Sequence, residues 1–463
     1  MEACILIRSL RHLTRHPTSL CSLIFRSLAE LMGLSPSVLS KFRGHPPPME
    51  NMVDKSPEPE PELPPDMMSS IFALLEVPDL VRAGSVCSSW RSVYTGLRRQ
   101  LRQQKQRQTP CLLYHTSESA GQNAACLYSL AEKRVYKLTL PDPPIRSRYV
   151  IGSSHGWLIT SDERSELHLV NPITGEQIVL PSVITLEQVK PIFDDEGALH
   201  KYELWEPRYT ALAEFLGYEP SIYALDELRD YLYLKAYLFP DPQTGSYIVV
   251  LIHNPEYQIS FARAGDCGWT FLPPGWNYQE CIYKDGILYA VTRTGAVDAF
   301  DLSGPTVTRK TVLGDTKNYI CEHIYIVQAP WGDMLQVWRE QPTVDGDAGS
   351  EHKKETSKIF VYKIDMAAKK LVEINGLHGH VLFLGHSQTQ CFSVEEYPQL
   401  KANCVYFTDD ERFISLYQNN KRDVGVLNLE NDTREEIIPQ IYCSWPNPIW
   451  ITPSLTMMYS GLM

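Results

Sequence analysis

The stretch Gly152-Ser153-Ser154-His155-Gly156 has the G-x-S-x-G spacing of a serine hydrolase. Ser154 stands where the nucleophile would, and His155, a residue type that accepts the proton of such a serine, adjoins it. That chemistry needs a strand entering a sharp turn that leads into a helix, with the base and its carboxylate partner elsewhere in the chain. Here Ser154 is followed by "GWLITSDERSELHLV", which reads as strand and turn. The sequence around it does not alternate strands with helices. His155 cannot be assumed to be the base, because neighbours on a strand point to opposite faces. Gly152 and Gly156 read better as backbone relief where Trp157 and Leu158 enter a core.

Other chemistry-bearing groups are weaker still. His378, His380 and His386 cluster in "HGHVLFLGH" without a Cys or carboxylate at ligand spacing, so a turn role is expected rather than zinc. The acidic runs "FDDEG" (193–197) and "TDDER" (408–412) lack the alternating oxygen ligands of a calcium loop and read as solvated turns. No phosphate-binding or dinucleotide-binding glycine pattern occurs in a suitable context. Neither metal nor cofactor is expected.

Charge and cysteine usage narrow the class. Net charge is −12 overall, but residues 1–108 carry +4 and residues 109–463 carry −16. An acidic body is a poor nucleic-acid binder, since phosphate neutralisation needs clustered cations. The basic helix "GLRRQLRQQKQRQ" (96–108) has no interleaved aromatics and reads as the solvated end of a connecting helix. The 11 cysteines form no C-x-x-C pair and read as reduced thiols. No apolar run approaches the ~18–20 residues that span a bilayer, so no membrane partner is expected. Residues 1–48 are basic and acid-poor, which fits an organelle-import segment or a solvated extension.

The elements that must position these residues fall into blocks. "HPPPMENMVDKSPEPEPELPP" (45–65) holds eight prolines and reads as an extended linker, assigned to 49–62. A small helical unit spans 63–108. In it Met68, Ile71, Phe72 and Leu75 share a helix face, and Pro78-Asp79 suits the start of a second helix. From 109 to 458 the texture is strands and tight turns. A strand–turn–strand unit recurs at 125–141, 167–181, 258–273, 296–313, 358–374 and 424–439. Apolar strands such as "GWLIT", "GILYAVT", "DMLQVW" and "HVLFLG" lie between them. The fold class expected is multidomain: a small all-α unit followed by an all-β propeller. Six hairpins suggest six blades, and the long gap before 258 leaves room for a seventh. Insertions interrupt the pattern at 183–234, which has a partly helical character, and at 340–358, a polar loop.

Residues 63–90, "LPPDMMSSIFALLEVPDLVRAGSVCSSW", resemble an F-box. That pattern opens on Leu-Pro, here Leu63-Pro64, and ends Val-Cys-x-x-Trp, here Val86-Cys87 and Trp90. Pro65 displaces the usual acid after Leu-Pro, and Asp66 follows one step later. The stretches "SSHGWLIT", "LHLVNPITGEQIVLP" and "SWPNPIWITPS" make the rest resemble plant F-box proteins with a KIB-like C-terminal β-propeller. The resemblance implies a non-catalytic substrate receptor of an SCF-type ubiquitin ligase, docked on a Skp-type adaptor and through it on a cullin scaffold, in the nucleus or cytoplasm. Leu63, Pro64, Met68, Ile71, Phe72, Leu75, Val77 and Leu80 are then the expected adaptor contacts, and Val86 and Trp90 the F-box core. The propeller would hold an unknown target protein. The alternatives are a propeller that binds or inhibits a protein partner without ligase work, and an organelle protein imported by the basic leader.

Overall fold

In the computed structural model of the chain, the described residues are 64–73, 75–103, 108–115, 124–205, 219–241, 244–275, 277–304, 306–317, 323–344, 353–410, 422–438 and 447–455. The leader, the Pro/Glu linker and Leu63 lie outside them. The chain divides into two compact units, one holding 64–75 and 79–99 and the other 76–78 and the chain from 100 onward.

Three helices form in the F-box stretch: α1 (Pro65–Phe72), α2 (Val77–Ala83) and α3 (Ser88–Gln103). Pro65 occupies the first helical turn, where its missing N–H costs nothing, and Asp66 and Asp79 sit at helix starts that favour negative charge. Gly84 lets the end of α2 approach α3, since a Cβ there would lie 2.6 Å from the Tyr94 ring.

The second unit is built of mostly antiparallel sheets. The first holds β1 (Cys111–Tyr114), β2 (Ala124–Ser129) and β3 (Arg134–Thr139). The next holds β4 (Tyr149–Ser154), β5 (Trp157–Ser161), β6 (Leu167–Val170) and β7 (Gln177–Val179). A separate three-stranded sheet follows: β8 (Val189–Phe193), β9 (Leu199–Leu204) and β10 (Ser221–Ala224), with the short helix α4 (Glu227–Leu232). The described part of the insertion at 183–234 therefore mixes strands with a short helix, and its last two residues already belong to the ring. Its partly helical character is met among the described residues by α4 and a short 3-10 turn at 183–185, while Tyr202 and Leu204 alternate with polar neighbours and bury one sheet face.

Four-stranded sheets continue with β11 (Tyr233–Asp241), β12 (Ser246–His253), β13 (Gln258–Arg263) and β14 (Thr270–Phe271), then β15 (Tyr278–Lys284), β16 (Ile287–Thr292), β17 (Val297–Asp301) and β18 (Thr308–Leu313). Next come β19 (His323–Gln328) and β20 (Met334–Glu340). A two-stranded ribbon of β21 (Thr343–Val344) and β22 (Lys353–Lys354) stands at the root of the 340–358 loop. The sheet is completed by β23 (Lys358–Asp365) and β24 (Lys370–Glu373). The last sheet has five strands in the order β26-β25-β27-β28-β29, from β25 (His380–Leu384), β26 (Gln390–Ser393), β27 (Cys404–Phe407), β28 (Gly425–Asn428) and β29 (Arg434–Glu435). Finally β30 (Ile449–Ile451) pairs with β1, so the C-terminal strand becomes the inner strand of the first sheet.

Each hairpin singled out in the sequence is the outer pair of one of these sheets. Neighbouring sheets pack face to face. Ile145 and Leu127 of the first sheet's core meet Val150 and Leu158 of the next, and the same holds around the ring to Trp450 against Phe383 and Tyr406. The described cysteines are all free thiols.

Candidate functional site

The G-x-S-x-G stretch is a β-hairpin. Ser154 pairs with Trp157, leaving His155 and Gly156 as a two-residue turn with φ of 50° and 82°. Positive φ at both central residues is the turn whose twist matches a hairpin. Ser154 is buried, and its Oγ accepts the N–H of Leu238 on β11 at 3.2 Å. Gly152 is required by space: a Cβ there would lie 2.0 Å from the carbonyl oxygen of Ala236. Gly156 faces the C-terminal segment, where a Cβ would lie 2.4 Å from that of Ser454. The glycines and serines of the motif thus pack or bond β4 and its turn against their neighbours, and a strand rather than a helix follows the serine.

Strand alternation puts three enlarged connections at one end of the ring: 180–232 between β7 and β11, 341–357 between β20 and β23, and 408–424 between β27 and β28. Their roots meet in a buried polar network. Lys235 Nζ on β11 lies 3.1 Å from Glu280 on β15 and 3.7 Å from Asp410. Asp410 also takes His323 Nδ1 at 3.2 Å, the Tyr325 hydroxyl at 2.7 Å and Arg339 Nη1 at 3.4 Å. Arg339 donates onward to the Thr408 carbonyl at 2.8 Å, to Thr356 Oγ1 at 2.7 Å and to Asp423 at 2.9 Å. Asp423 in turn accepts from Gln341 and from both Thr356 donors.

The charges of this network set one another's titration. Burial alone would raise the Asp410 carboxyl, but His323, Lys235 and Arg339 together hold it well below the usual carboxylate range. Glu280 goes the other way: burial raises it, and Lys235 and Thr389 offset that only in part. Burial works against the Arg339 cation, yet Tyr325, Asp410 and Asp423 outweigh it and push its pKa up. These are buried ion pairs whose desolvation is offset by mutual attraction and many hydrogen bonds, an arrangement that fixes geometry more than it adds stability.

The connection after β25 crosses the axis beneath this network. Gly385 accepts Lys235 Nζ at 3.0 Å, Gln388 N–H reaches Ser153 O on β4 at 2.9 Å, and Thr389 N–H reaches Glu280 at 3.2 Å. A segment of one sheet is thereby tied to the inner strands of three others.

The remaining candidates fall apart as sites. His378 and His380 set their rings edge-on to Trp331 at 5.5 and 4.7 Å, while His386 is buried in the axial connection. Among the described residues no group of three His, Cys, Asp or Glu is placed to hold a metal. Asp194 closes the β8–β9 turn by accepting two backbone N–H groups, and its neighbours are exposed. The 408–410 part of "TDDER" corrects the expectation of a solvated turn: Thr408 and Asp409 are buried, and the side chain of the half-buried Asp410 is covered where Arg339, His323 and Lys235 converge on it. Nothing in the sequence reading found Lys235, Glu280, His323, Arg339 or Asp423. The available signal was a charge inside an otherwise apolar inner strand, as in "YLYLKAYLF" around Lys235.

The expected adaptor contacts divide by burial. Met68, Phe72, Val77 and Leu80 are buried, Ile71 and Leu75 are half-buried, and Pro64 is exposed. Phe72 packs edge-to-face on Trp90 with centroids 5.3 Å apart, which places Trp90 at the joint of α1 and α3. Val86, expected in the F-box core, is instead 52% exposed, because it stands in the turn between α2 and α3.

Comparison with known proteins agrees with both units. The KIB1-4 beta-propeller family matches residues 127–428, and the F-box-like family matches residues 61–103. The "Putative F-box protein At2g33190" of Arabidopsis thaliana is 23% identical over 80% of this chain and 91% of its own length. "F-box protein SKIP23" of the same plant is 25% identical over 84% of this chain and 95% of its own. "F-box protein KIB4" is 23% identical over 65% of this chain and 71% of its own.

Proposed function

The chain belongs to the KIB1-4 β-propeller family and carries an F-box-like segment, and from that premise we propose that it is the substrate-recognition subunit of an SCF-type ubiquitin ligase. The observation that carries the reading is the F-box-like match at 61–103 directly upstream of the propeller match at 127–428. The F-box docks on a Skp-type adaptor and through it on a cullin scaffold. The propeller holds a target protein near the conjugating enzyme, raising the effective concentration of its lysines. No bond chemistry is assigned to the chain itself.

Burial sorts the docking residues by role. Pro64, Ile71 and Leu75 retain exposed surface and make the direct contact with Leu63, whereas Met68, Phe72, Val77 and Leu80 hold the helices that present them. Burying a large apolar side chain is worth ~1.5–3 kcal/mol before costs, so a few contacts dominate such an interface. The target binds at the ring end that carries the three enlarged connections, since loops on a rigid scaffold supply recognition. The work is done in the nucleus or cytoplasm.

Co-expression with a Skp-type adaptor tests the reading. The two proteins should co-elute on size exclusion, and Ile71→Asp/Leu75→Asp should abolish co-elution while the fold persists. Intact wild-type protein that never captures the adaptor would sink the ligase assignment.

A further inference from the structure

Independently of the receptor reading, one short segment between two sheets sets a reactive dipeptide in a fixed frame. Asn375-Gly376 is the one Asn-Gly pair of the chain. It lies between β24 and β25, outside both strands. Asn375 is exposed and Gly376 half-buried. Among the described residues, neither the Asn375 side-chain amide nor the Gly376 N–H takes part in a hydrogen bond. Other asparagines are held. Asn171, Asn428 and Asn431 each accept the N–H two residues on, and Asn254 and Asn403 donate to Tyr231 O and to Glu430.

The frame on either side is firm. Ile374 N–H donates to Val361 O on β23 at 3.0 Å, which fixes the chain to one sheet up to that point. Leu377 N–H donates to Asn403 Oδ1 at 3.0 Å, and Asn403 N–H to His380 O at 2.9 Å, which fixes it to the next. Leu377 is fully buried in the core that these two sheets share. His378 and His380, just beyond it, set their rings against Trp331. Asn375 and Gly376 are thus a two-residue strut between two anchored points.

We infer that Asn375 is a site of spontaneous deamidation, a modification that lengthens this strut. The Gly376 nitrogen loses its proton to a solvent base and attacks the carbonyl carbon of the Asn375 side chain. A C–N bond forms to Gly376, the bond to the side-chain nitrogen breaks, and that nitrogen leaves as ammonia with a proton from solvent. One water then opens the succinimide ring at either carbonyl, giving aspartate or isoaspartate. The sum consumes one water and releases one ammonia, with no oxidant or reductant. Glycine suits the attack because it has no Cβ to crowd the nitrogen and its backbone turns freely. Opening at the main-chain carbonyl gives isoaspartate, which routes the chain through Cβ and adds one backbone carbon between Ile374 and Leu377. A close-packed core has no room to absorb that carbon, so Leu377 must shift.

The test ages the full-length chain at mildly alkaline pH, folded and, separately, unfolded in urea, and maps its tryptic peptides by mass. The peptide 371–401 holds no asparagine other than Asn375. In the folded chain it should gain the mass of one deamidation ahead of the peptides bearing Asn171, Asn254, Asn403, Asn428 and Asn431, and it should become a substrate for an isoaspartyl methyltransferase. Gly376→Ala should fold normally, since its Cβ would meet Asn403 Oδ1 at an ordinary 3.7 Å, and should lose the gain over the same interval. Deamidation of Asn375 in the unfolded but not the folded chain, or an earlier gain at one of those five asparagines, would overturn the inference. Hydrogen exchange reads the consequence. Aged wild type should exchange faster over 377–384. Asn375→Asp, which adds the charge without the carbon, and aged Gly376→Ala should both match fresh protein. Isoaspartate that forms without faster exchange would overturn the lengthened strut.

Discussion

Replacing Gly152 by Ala should damage the ring more than replacing the neighbouring serine. An added Cβ would lie 2.0 Å from the oxygen and 2.9 Å from the carbon of the Ala236 carbonyl. Those are backbone atoms of an inner strand pinned to β12 by Ala236 facing Leu251, so no side chain can swing aside. Overpacking costs ~1–3 kcal/mol, and a backbone clash belongs at the upper end, ~3 kcal/mol. Over the roughly 350 residues from 109 onward, a per-residue unfolding entropy of ~2.1 cal/mol/K turns ~3 kcal/mol into a fall of about 4 °C in midpoint. Ser154→Ala orphans only the Leu238 N–H, at ~1–3 kcal/mol, and should shift the midpoint by less. Thermal unfolding of the full chain followed by tryptophan fluorescence reads both, since Trp157 and Trp450 are buried. A Gly152→Ala midpoint within about one degree of wild type would refute the spatial argument. Ester hydrolysis by the wild type, lost in a Ser154→Ala protein of unchanged stability, would refute the structural reading of the motif.

Three further perturbations test the ring. His253 is fully buried between Gln188, Ser260 and the Asn254 carbonyl, and burial pushes its pKa down to about 4. The unfolded chain takes up that proton near pH ~6.5 and the folded chain does not, so stability is whole above ~6.5 and falls by about 3 kcal/mol as the pH drops to ~4. Urea unfolding across that range should show the loss, and His253→Gln should flatten it. Asp410→Asn removes the charge that His323, Lys235 and Arg339 share, and should cost about 3 kcal/mol, the lower end for a broken buried pair because the amide still hydrogen-bonds; the same unfolding assay reads it. Trp450→Ala removes the side chain that locks β30 against Phe383 and Tyr406, and should cost ~3–5 kcal/mol and speed hydrogen exchange in β1 and β30.

The outer half of each sheet was readable because its residues alternate. In "LHLVNPITGEQIVLP" a turn punctuated by Asn171, Pro172 and Gly175 separates two short strands, and Asn171 Oδ1 indeed caps that turn by accepting the N–H groups of Ile173 and Thr174. The inner strands are buried on both faces and lose alternation, so "YIVVLI" shows its length but not its partners. The strands of the insertion were hard to see for a related reason. Leu199, Tyr202 and Leu204 sit at spacings that a helix or a strand could bury, and only pairing with Val189 and Pro191 decides between them. The F-box was the most legible element because its ends are marked by Leu63-Pro64 and Trp90 rather than by periodicity alone, yet periodicity could not tell Phe72, which turns inward to Trp90, from Ile71, which keeps partial exposure.

The central charges were invisible because their meaning lies in contacts between residues 45 to 175 positions apart, such as Lys235 with Glu280 and with Asp410. Once assembled, they constrain where recognition can occur. The axis is crossed by the segment from Gly385 to Thr389, and the inner-strand charges satisfy one another. A target cannot borrow those charges without breaking buried pairs, at a cost that ordinary surface contacts would not offset. Specificity must therefore come from groups at the margin of the ring that still have solvent to exchange for a partner. The network serves that margin by fixing the roots of the three enlarged connections, through Lys235 below the insertion, Thr356 below the 341–357 loop and Asp410 in the 408–424 loop. A rigid base of this kind lets a docking surface keep its shape before the target arrives, which lowers the ordering cost of binding.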